Sequence, residues 1–548
     1  MGHRSAFMPF WLSLALTACV EDAPSPSPGD SGAMAGTPSP GGEPAMGGTA
    51  TMGGNPDPGG TAAMGGTPAM GGTPVMGGTP AMGGTAAMGG TAAMGGAAAM
   101  GGTAAMGGAA AMGGEAMPGG ANGLGGEPSV PSIDEFLAQE CPDGGNPGPY
   151  PNSTTRGRED LHKLTLEAPE AICNDGSPGL LFIRRAVQST DRWIFFLQGG
   201  ASCGGHAECG DRWCGRQGVY DASKMSSRFI EAETIGGTGI LNGLERNPYS
   251  DANVVYFYYC SSDQWTGQRS DVVLTDDAGE GAYGIHFRGH SIIEAALALL
   301  RQGGATSDDG MVTLPDLDDA RQILWTGVSA GGAGATHHLD WFASQFNPRR
   351  TRVIGVIDAG FGPLFSAFNA EAEAAIRGFV RTRYLETWRP YYDAFLDPSC
   401  VAHPANQGEN AWRCSDPTYV KLNHVTTRFF QRLDLRDAVG AGAAISLGAT
   451  LEEYATGAAD ALGRLATIGE TGLEGADITV APGAYGPNCA RHVAISNTPF
   501  FFQSTVEDDT GRPTTFVSAL GRWLGGGAVS VIDDPAVADS TSVCGAGD

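Results

Sequence analysis

Gly327-Val328-Ser329-Ala330-Gly331-Gly332 follows the apolar run Gln322-Ile323-Leu324-Trp325-Thr326 and precedes residues 333–346, whose pattern is helical. A strand, a tight turn holding a serine between small residues, and a helix form the local pattern of a nucleophile elbow. The turn is strained, so the positions two before and two after the serine must be small. The strain lifts the Ser329 hydroxyl clear of the sheet edge, and the helix N-terminus behind it favours developing negative charge.

Outward from the elbow, apolar runs recur. Residues 192–198, 253–260, 322–326 and 352–357 read as strands buried on both faces. Residues 180–187 alternate more loosely, and 426–433 and 477–481 are later candidates. Helical patterns lie at 291–301, 333–346, 451–468 and 514–524. Strands alternating with helices predict an α/β fold: a mostly parallel, α/β-hydrolase-like sheet with flanking helices. Segment 365–422, rich in aromatic and charged residues, reads as a lid or cap.

The N-terminal part has a different composition. Residues 5–18 are apolar but too short to span a membrane as a mature helix. They end in Leu16-Thr17-Ala18-Cys19, which is similar to a bacterial lipobox, so the expected mature chain begins at a lipidated Cys19. Cleavage as an ordinary signal peptide after Ala18 is the alternative. Residues 19–132 are rich in Gly, Ala, Met, Thr and Pro, with methionines every six residues from Met64 to Met112, each followed by Gly-Gly. The repeat lacks the large aliphatic side chains a stacked core needs, so it reads as a disordered linker with a span of roughly 60 Å. The globular part is then 133–548. The expected protein is exported and held at the cell envelope or surface by its lipid, or else secreted.

Formal charge is −27 overall. Residues 1–132 hold seven acids and one base, which leaves −21 on the rest and argues against nucleic acid as a partner. Apart from Cys19 there are ten cysteines, an even number that in an exported chain predicts up to five disulfides. Zinc held by Cys203, Cys209, Cys214 and His206 is an alternative that fits poorly, because the spacings differ from common structural zinc sites.

An activated serine needs a base, a group to orient the base, and donors for the oxyanion. In an α/β-hydrolase the order is Ser, acid, His. Five histidines follow Ser329. His337 and His338 sit on the elbow helix and read as structural, while His403 and His424 precede the last strand of the set. His492, in the loop Gly486-Pro487-Asn488-Cys489-Ala490-Arg491-His492, is therefore the expected base. The acid should follow a strand between the two. Asp434, just after Phe429-Phe430-Gln431-Arg432-Leu433, is expected, with Asp437 and then Asp358 as alternatives. The Gly199-Gly200-Ala201 turn after the early strand, together with the residue after the serine, gives Gly200, Ala201 and Ala330 as oxyanion-hole donors.

Five segments resemble the pectin acetylesterase (Notum) family. Leu197-Gln198-Gly199-Gly200-Ala201-Ser202-Cys203 is similar to its Leu-Glu-Gly-Gly-Gly-Trp-Cys. Tyr259-Cys260-Ser261-Ser262-Asp263-Gln264-Trp265-Thr266-Gly267 is close to its Tyr-Cys-Ser-Ser-Asp-x-Trp-Ser-Gly. The elbow, Asp358-Ala359-Gly360-Phe361, and Asn488-Cys489-Ala490-Arg491-His492 complete the likeness. The resemblance implies Ser329, His492 and Asp434 as a triad, with Asp263 and Asp358 as scaffold. Departures fall at Gln198, Ala201 and Ser202, and at Asp437, where the family's Asp-x-x-Gln has Gln. The implied function is serine carboxylesterase action on acyl esters, by family default acetyl groups on a polysaccharide, with no metal or cofactor. A non-catalytic glycan- or protein-binding lipoprotein and a lipid or polyester esterase are the competing readings.

Overall fold

The computed structural model describes residues 130–138, 141, 160–189, 191–218, 220–243, 247–279, 281–471, 481–508, 510–537 and 542–544. The expected signal segment, Cys19 and all but the end of the expected linker lie outside these residues. The strands are β1 (Asp160–Thr165), β2 (Leu180–Arg184), β3 (Arg192–Leu197), β4 (Thr234–Gly236), β5 (Asn253–Phe257), β6 (Arg269–Thr275), β7 (Ala282–Phe287), β8 (Gln322–Val328), β9 (Arg352–Asp358), β10 (Phe429–Arg432), β11 (Gly483–Gly486), β12 (Thr505–Glu507), β13 (Pro513–Thr515) and β14 (Ser530–Ile532). Ten form one sheet in the order β14-β11-β10-β9-β8-β3-β5-β2-β1-β4. From β14 to β5 every neighbouring pair is parallel, and β2, β1 and β4 extend that edge antiparallel.

The strand leading to the elbow, β8, lies between β3 and β9 and is buried from Ile323 to Val328. The helix after it, Ala330–Ser344, closes on the sheet through Phe342, whose ring stacks 4.1 Å from Trp325 and lies 5.2 Å from Phe195. All three rings are fully buried. Burying one such side chain is worth roughly 1.5–3 kcal/mol, so this cluster anchors the helix whose first turn carries the site. In open α/β sheets, ligand sites form beyond the carboxyl ends of the strands. The ends of β3, β8, β9, β10 and β11 are where the residues singled out from sequence lie.

Five disulfides join Cys141–Cys214, Cys173–Cys260, Cys203–Cys209, Cys400–Cys414 and Cys489–Cys544. These pairings remove the zinc alternative, since Cys203, Cys209 and Cys214 are all consumed. The expected strand at 477–481 falls mostly outside the described residues; Ala481 is not in a strand, and β11 begins at Gly483. No helix among the described residues is long and apolar enough to cross a membrane.

Segment 365–422 is inserted between β9 and β10. Its helix Ala370–Arg383 runs on into a wider-wound stretch, Tyr384–Tyr392, with Pro390 inside. It packs on the loop after β3: Arg383 pairs with Glu208 at 2.8 Å, and Tyr392 donates to the Cys203 carbonyl at 2.6 Å.

Candidate active site

Ser329 has φ +54° and ψ −121°, a backbone conformation that side chains rarely adopt. Its N–H donates to the Asp358 carbonyl at 3.1 Å. A Cβ on Gly327 would lie 2.1 Å from the Gly331 oxygen, and one on Gly331 would lie 2.1 Å from the Leu197 oxygen. Only glycine fits at either place, which is the physical content of the small-residue rule read from the sequence.

The Ser329 Oγ lies 2.7 Å from His492 Nε2. The other ring nitrogen, Nδ1, is 2.8 Å from Asp437 Oδ2 and 3.0 Å from Oδ1. A carboxylate only accepts, so Nδ1–H donates to Asp437 and leaves Nε2 as acceptor for the serine hydroxyl. The aspartate is 2 % exposed and the imidazole 20 %. Solvent therefore reaches the serine end of the chain and is kept from its acid end.

The residue against His492 is thus Asp437, not the expected Asp434. Asp437 is the N-cap of the helix Ala438–Ser446, where its Oδ1 accepts from the Val439 and Gly440 N–H groups at 2.9 and 3.1 Å. The cap fixes the carboxylate in one orientation, facing the imidazole. Asp434, three residues earlier in the same turn, faces inward and bonds to Arg432 and the Arg491 N–H. A turn, closed by the Asp437 N–H on the Asp434 carbonyl at 3.1 Å, separates the two directions. An acid directly before an Ala- and Gly-rich helix is an N-cap signal, but it does not say which way the capping carboxylate faces, and the sequence reading placed the acid at Asp434 instead.

The expected oxyanion donors Gly200 and Ala201 follow β3, which pairs in parallel with β8, and Ala330 follows the serine at the end of β8. Gly200 has φ +147°, and a Cβ there would lie 2.9 Å from a Tyr259 ring carbon. Arg212 Nη2 donates to the Gly200 carbonyl at 2.6 Å, and the Tyr259 hydroxyl donates to the Ala201 carbonyl at 2.8 Å. A trans peptide sends its N–H opposite its C=O, so the Ala201 N–H points away from Arg212. Among the described residues, the N–H groups of Gly200, Ala201 and Ala330 have no acceptor. Sequence reading missed Arg212 and gave Tyr259, quoted within a family-like segment, no role; their bonds to this loop come from residues 12 and 58 positions away.

Asp263 is wholly buried and accepts from Ser261 Oγ and from the N–H groups of Trp265, Gly267 and Gly289, at 2.7–3.1 Å. Burial raises its carboxyl to about 6 against those bonds. Asp358 accepts from Arg432 Nη1 at 2.7 Å. The carboxylates of both bond to backbone and buried partners, and Asp358 meets Ser329 only through its main-chain oxygen. Burial lifts Asp434 to about 7 against the pull of Arg432. Arg432 itself, despite burial, is held firmly charged by Asp358 and then Asp434. His337 and His338 are fully buried on the elbow helix. Among the described residues no cluster of three or more His, Cys, Asp or Glu side chains could hold a metal ion.

A mostly parallel sheet with an elbow serine, a histidine and an aspartate in a bonded row past its strand ends defines an α/β-hydrolase-like protein. The chain belongs to the pectinacetylesterase family, whose model matches residues 156–430. It is 33% identical over 219 residues to the palmitoleoyl-protein carboxylesterase Notum of Homo sapiens, a stretch that is 39% of this chain and 38% of that one. The Drosophila melanogaster protein of the same name is 28% identical over 258 residues, 44% of this chain and 36% of that one. A solved structure of the Wnt deacylase Notum from Drosophila shares the fold, with TM-score 0.51 and 23% identity over 68% of this chain and 96% of that one. The chain thus matches well under half the length of these curated relatives.

Proposed function

We propose that this protein is a serine carboxylesterase acting through Ser329, His492 and Asp437. The observation that carries the reading is the Ser329–His492–Asp437 row, at 2.7 and 2.8 Å; in support, the N–H groups of Gly200, Ala201 and Ala330, past the ends of the neighbouring strands β3 and β8, have no acceptor among the described residues. His492 takes the Ser329 proton as Oγ attacks the ester carbonyl. The oxyanion accepts from Gly200, Ala201 and Ala330. As the tetrahedral intermediate collapses, His492 returns the proton to the departing alcohol. Water, deprotonated by His492, then releases the acid and regenerates Ser329. Family membership supports acetyl groups on a polysaccharide as substrate. The names of the Notum relatives support a second reading, a long acyl chain on a protein. Five disulfides favour an oxidising compartment, in keeping with export and a lipid anchor at Cys19.

Ser329→Ala abolishes nitrophenyl acetate hydrolysis and fluorophosphonate labelling, with kcat lower by roughly 10⁶. Retention of near wild-type rate by that variant ends the proposal. Acetate release from acetylated pectin and xylan, set beside hydrolysis of nitrophenyl esters of increasing chain length, separates the two substrates.

A further inference from the structure

Arg432, the last residue of β10, is 1 % exposed and lies between two carboxylates that are 0 % exposed. Its Nη1 donates to Asp358 Oδ1 at 2.7 Å, and its Nη2 donates to Asp434 Oδ1. The second oxygen of each carboxylate faces the loop that carries His492. Asp434 Oδ2 accepts the Arg491 N–H at 2.7 Å, and Asp358 Oδ2 accepts the N–H groups of Ala494 and Ile495 at 2.5 and 2.7 Å. The loop is gripped one residue before the histidine and two and three residues after it. Asp358 also accepts the Ser329 N–H on its own carbonyl. Further along, the N–H groups of Leu435, Arg436 and Ala438 donate to the carbonyls of Pro487, Cys489 and Ala490 at 2.9, 3.0 and 3.1 Å. These bonds zip the Asp437 turn to the His492 loop.

From this geometry we infer that Asp358, Arg432 and Asp434 are positioning residues, which fix the His492 imidazole between Asp437 and the Ser329 hydroxyl. The inference rests on the esterase reading for its kinetic consequence. The bland alternative is that the triplet only ties β9 to β10. Energetics weigh against that. A buried ion pair or triad yields little net stability over apolar side chains of similar volume, whereas a misplacement of about 1 Å at a reacting group costs about 100-fold in rate. The hydrogen bonds of the triplet to the His492 loop run to its backbone N–H groups, so each of the three acts through the backbone of the loop.

The test is Asp434→Asn, which keeps an oxygen for the Arg491 N–H and removes the ion pair. Expected are a kcat for nitrophenyl acetate lower by about 10- to 100-fold, KM within about 2-fold, an equal drop in the fluorophosphonate labelling rate, and a crystal structure with the His492 ring displaced from Ser329. Asp358→Asn should behave alike. If Asp434→Asn does not fold, Arg432→Gln/Asp434→Asn, which leaves no unpaired guanidinium, gives the same readouts. A variant that melts earlier yet turns over at the wild-type rate well below its midpoint, with His492 in place, overturns the inference. Should the wild type neither hydrolyse esters nor label, the esterase reading falls instead, and the displacement of His492 still decides the positioning role.

Discussion

Two aspartates three residues apart divide the labour on one turn. Asp437 meets the His492 ring, and Asp434 meets only backbone and Arg432. Their isosteric amides should therefore differ in degree. Asp437→Asn, by analogy with protease triads, lowers kcat about 10⁴-fold, because the amide favours the wrong imidazole tautomer. Its effect should exceed that of Asp434→Asn by at least about tenfold in the same steady-state assay, and equal effects would contradict the assignment of the acid. At this scale the sequence was legible where chemistry is local. Ser329 declares itself through glycines that cannot bear a Cβ, and His492 through chain order. The choice between Asp434 and Asp437 was not local, since it depends on which side of a turn faces the imidazole. The nearness of Asp434 to the strand end, and the family pattern read onto it, both favoured the inward-facing residue.

Among the elements, the helix Ala330–Ser344 carries an unusual burden. His337 is fully buried, and among the described residues neither of its ring nitrogens has a hydrogen-bond partner. Burial, then His338 and Lys421, lowers it to about 3, and burial lowers His338 to about 4. A histidine ordinarily titrates near 6.5. The unfolded chain therefore takes up a proton below that pH which the fold refuses. Stability from a neutral buried histidine is complete above about 6.5 and is lost as pH falls towards the depressed value. Asp263 and Asp434, raised to about 6 and about 7, act in the opposite sense over nearly the same range, so the net curve is uninformative and a difference is needed. His337→Phe should gain on the wild type by about 1.4 kcal/mol per pH unit between about pH 6.5 and 4, read from denaturant midpoints at each pH. Parallel curves would refute this. The parallel strands were legible because they are continuous apolar runs. The antiparallel edge was not: β1 is Asp-Leu-His-Lys-Leu-Thr, and its place is set by pairing with β2 and β4 rather than by its composition. Helix Ala370–Arg383 was visible only as part of a charged, aromatic insertion, because much of its surface stays exposed.

Across the whole molecule, the site is assembled from distant stretches. The family model's match ends at residue 430, so Ser329 lies within it while Asp437 and His492 lie beyond. The histidine loop is further tied by Cys489–Cys544, a link across 55 residues. Replacing both cysteines by serine should cost about 2–4 kcal/mol of unfolding free energy in a denaturant titration. An unchanged midpoint would mean that backbone pairing with the Asp437 turn suffices without the link. Asp358 has the widest consequence. Its main-chain oxygen takes the Ser329 N–H and its carboxylate takes two N–H groups just past His492. It therefore works as a block shared by Ser329 and the His492 loop. One residue at the end of β9 thus holds both, across the two strands that lie between β8 and β11. A displacement of the end of β9 is thereby passed to Ser329 and to the His492 loop through hydrogen bonds to the same residue.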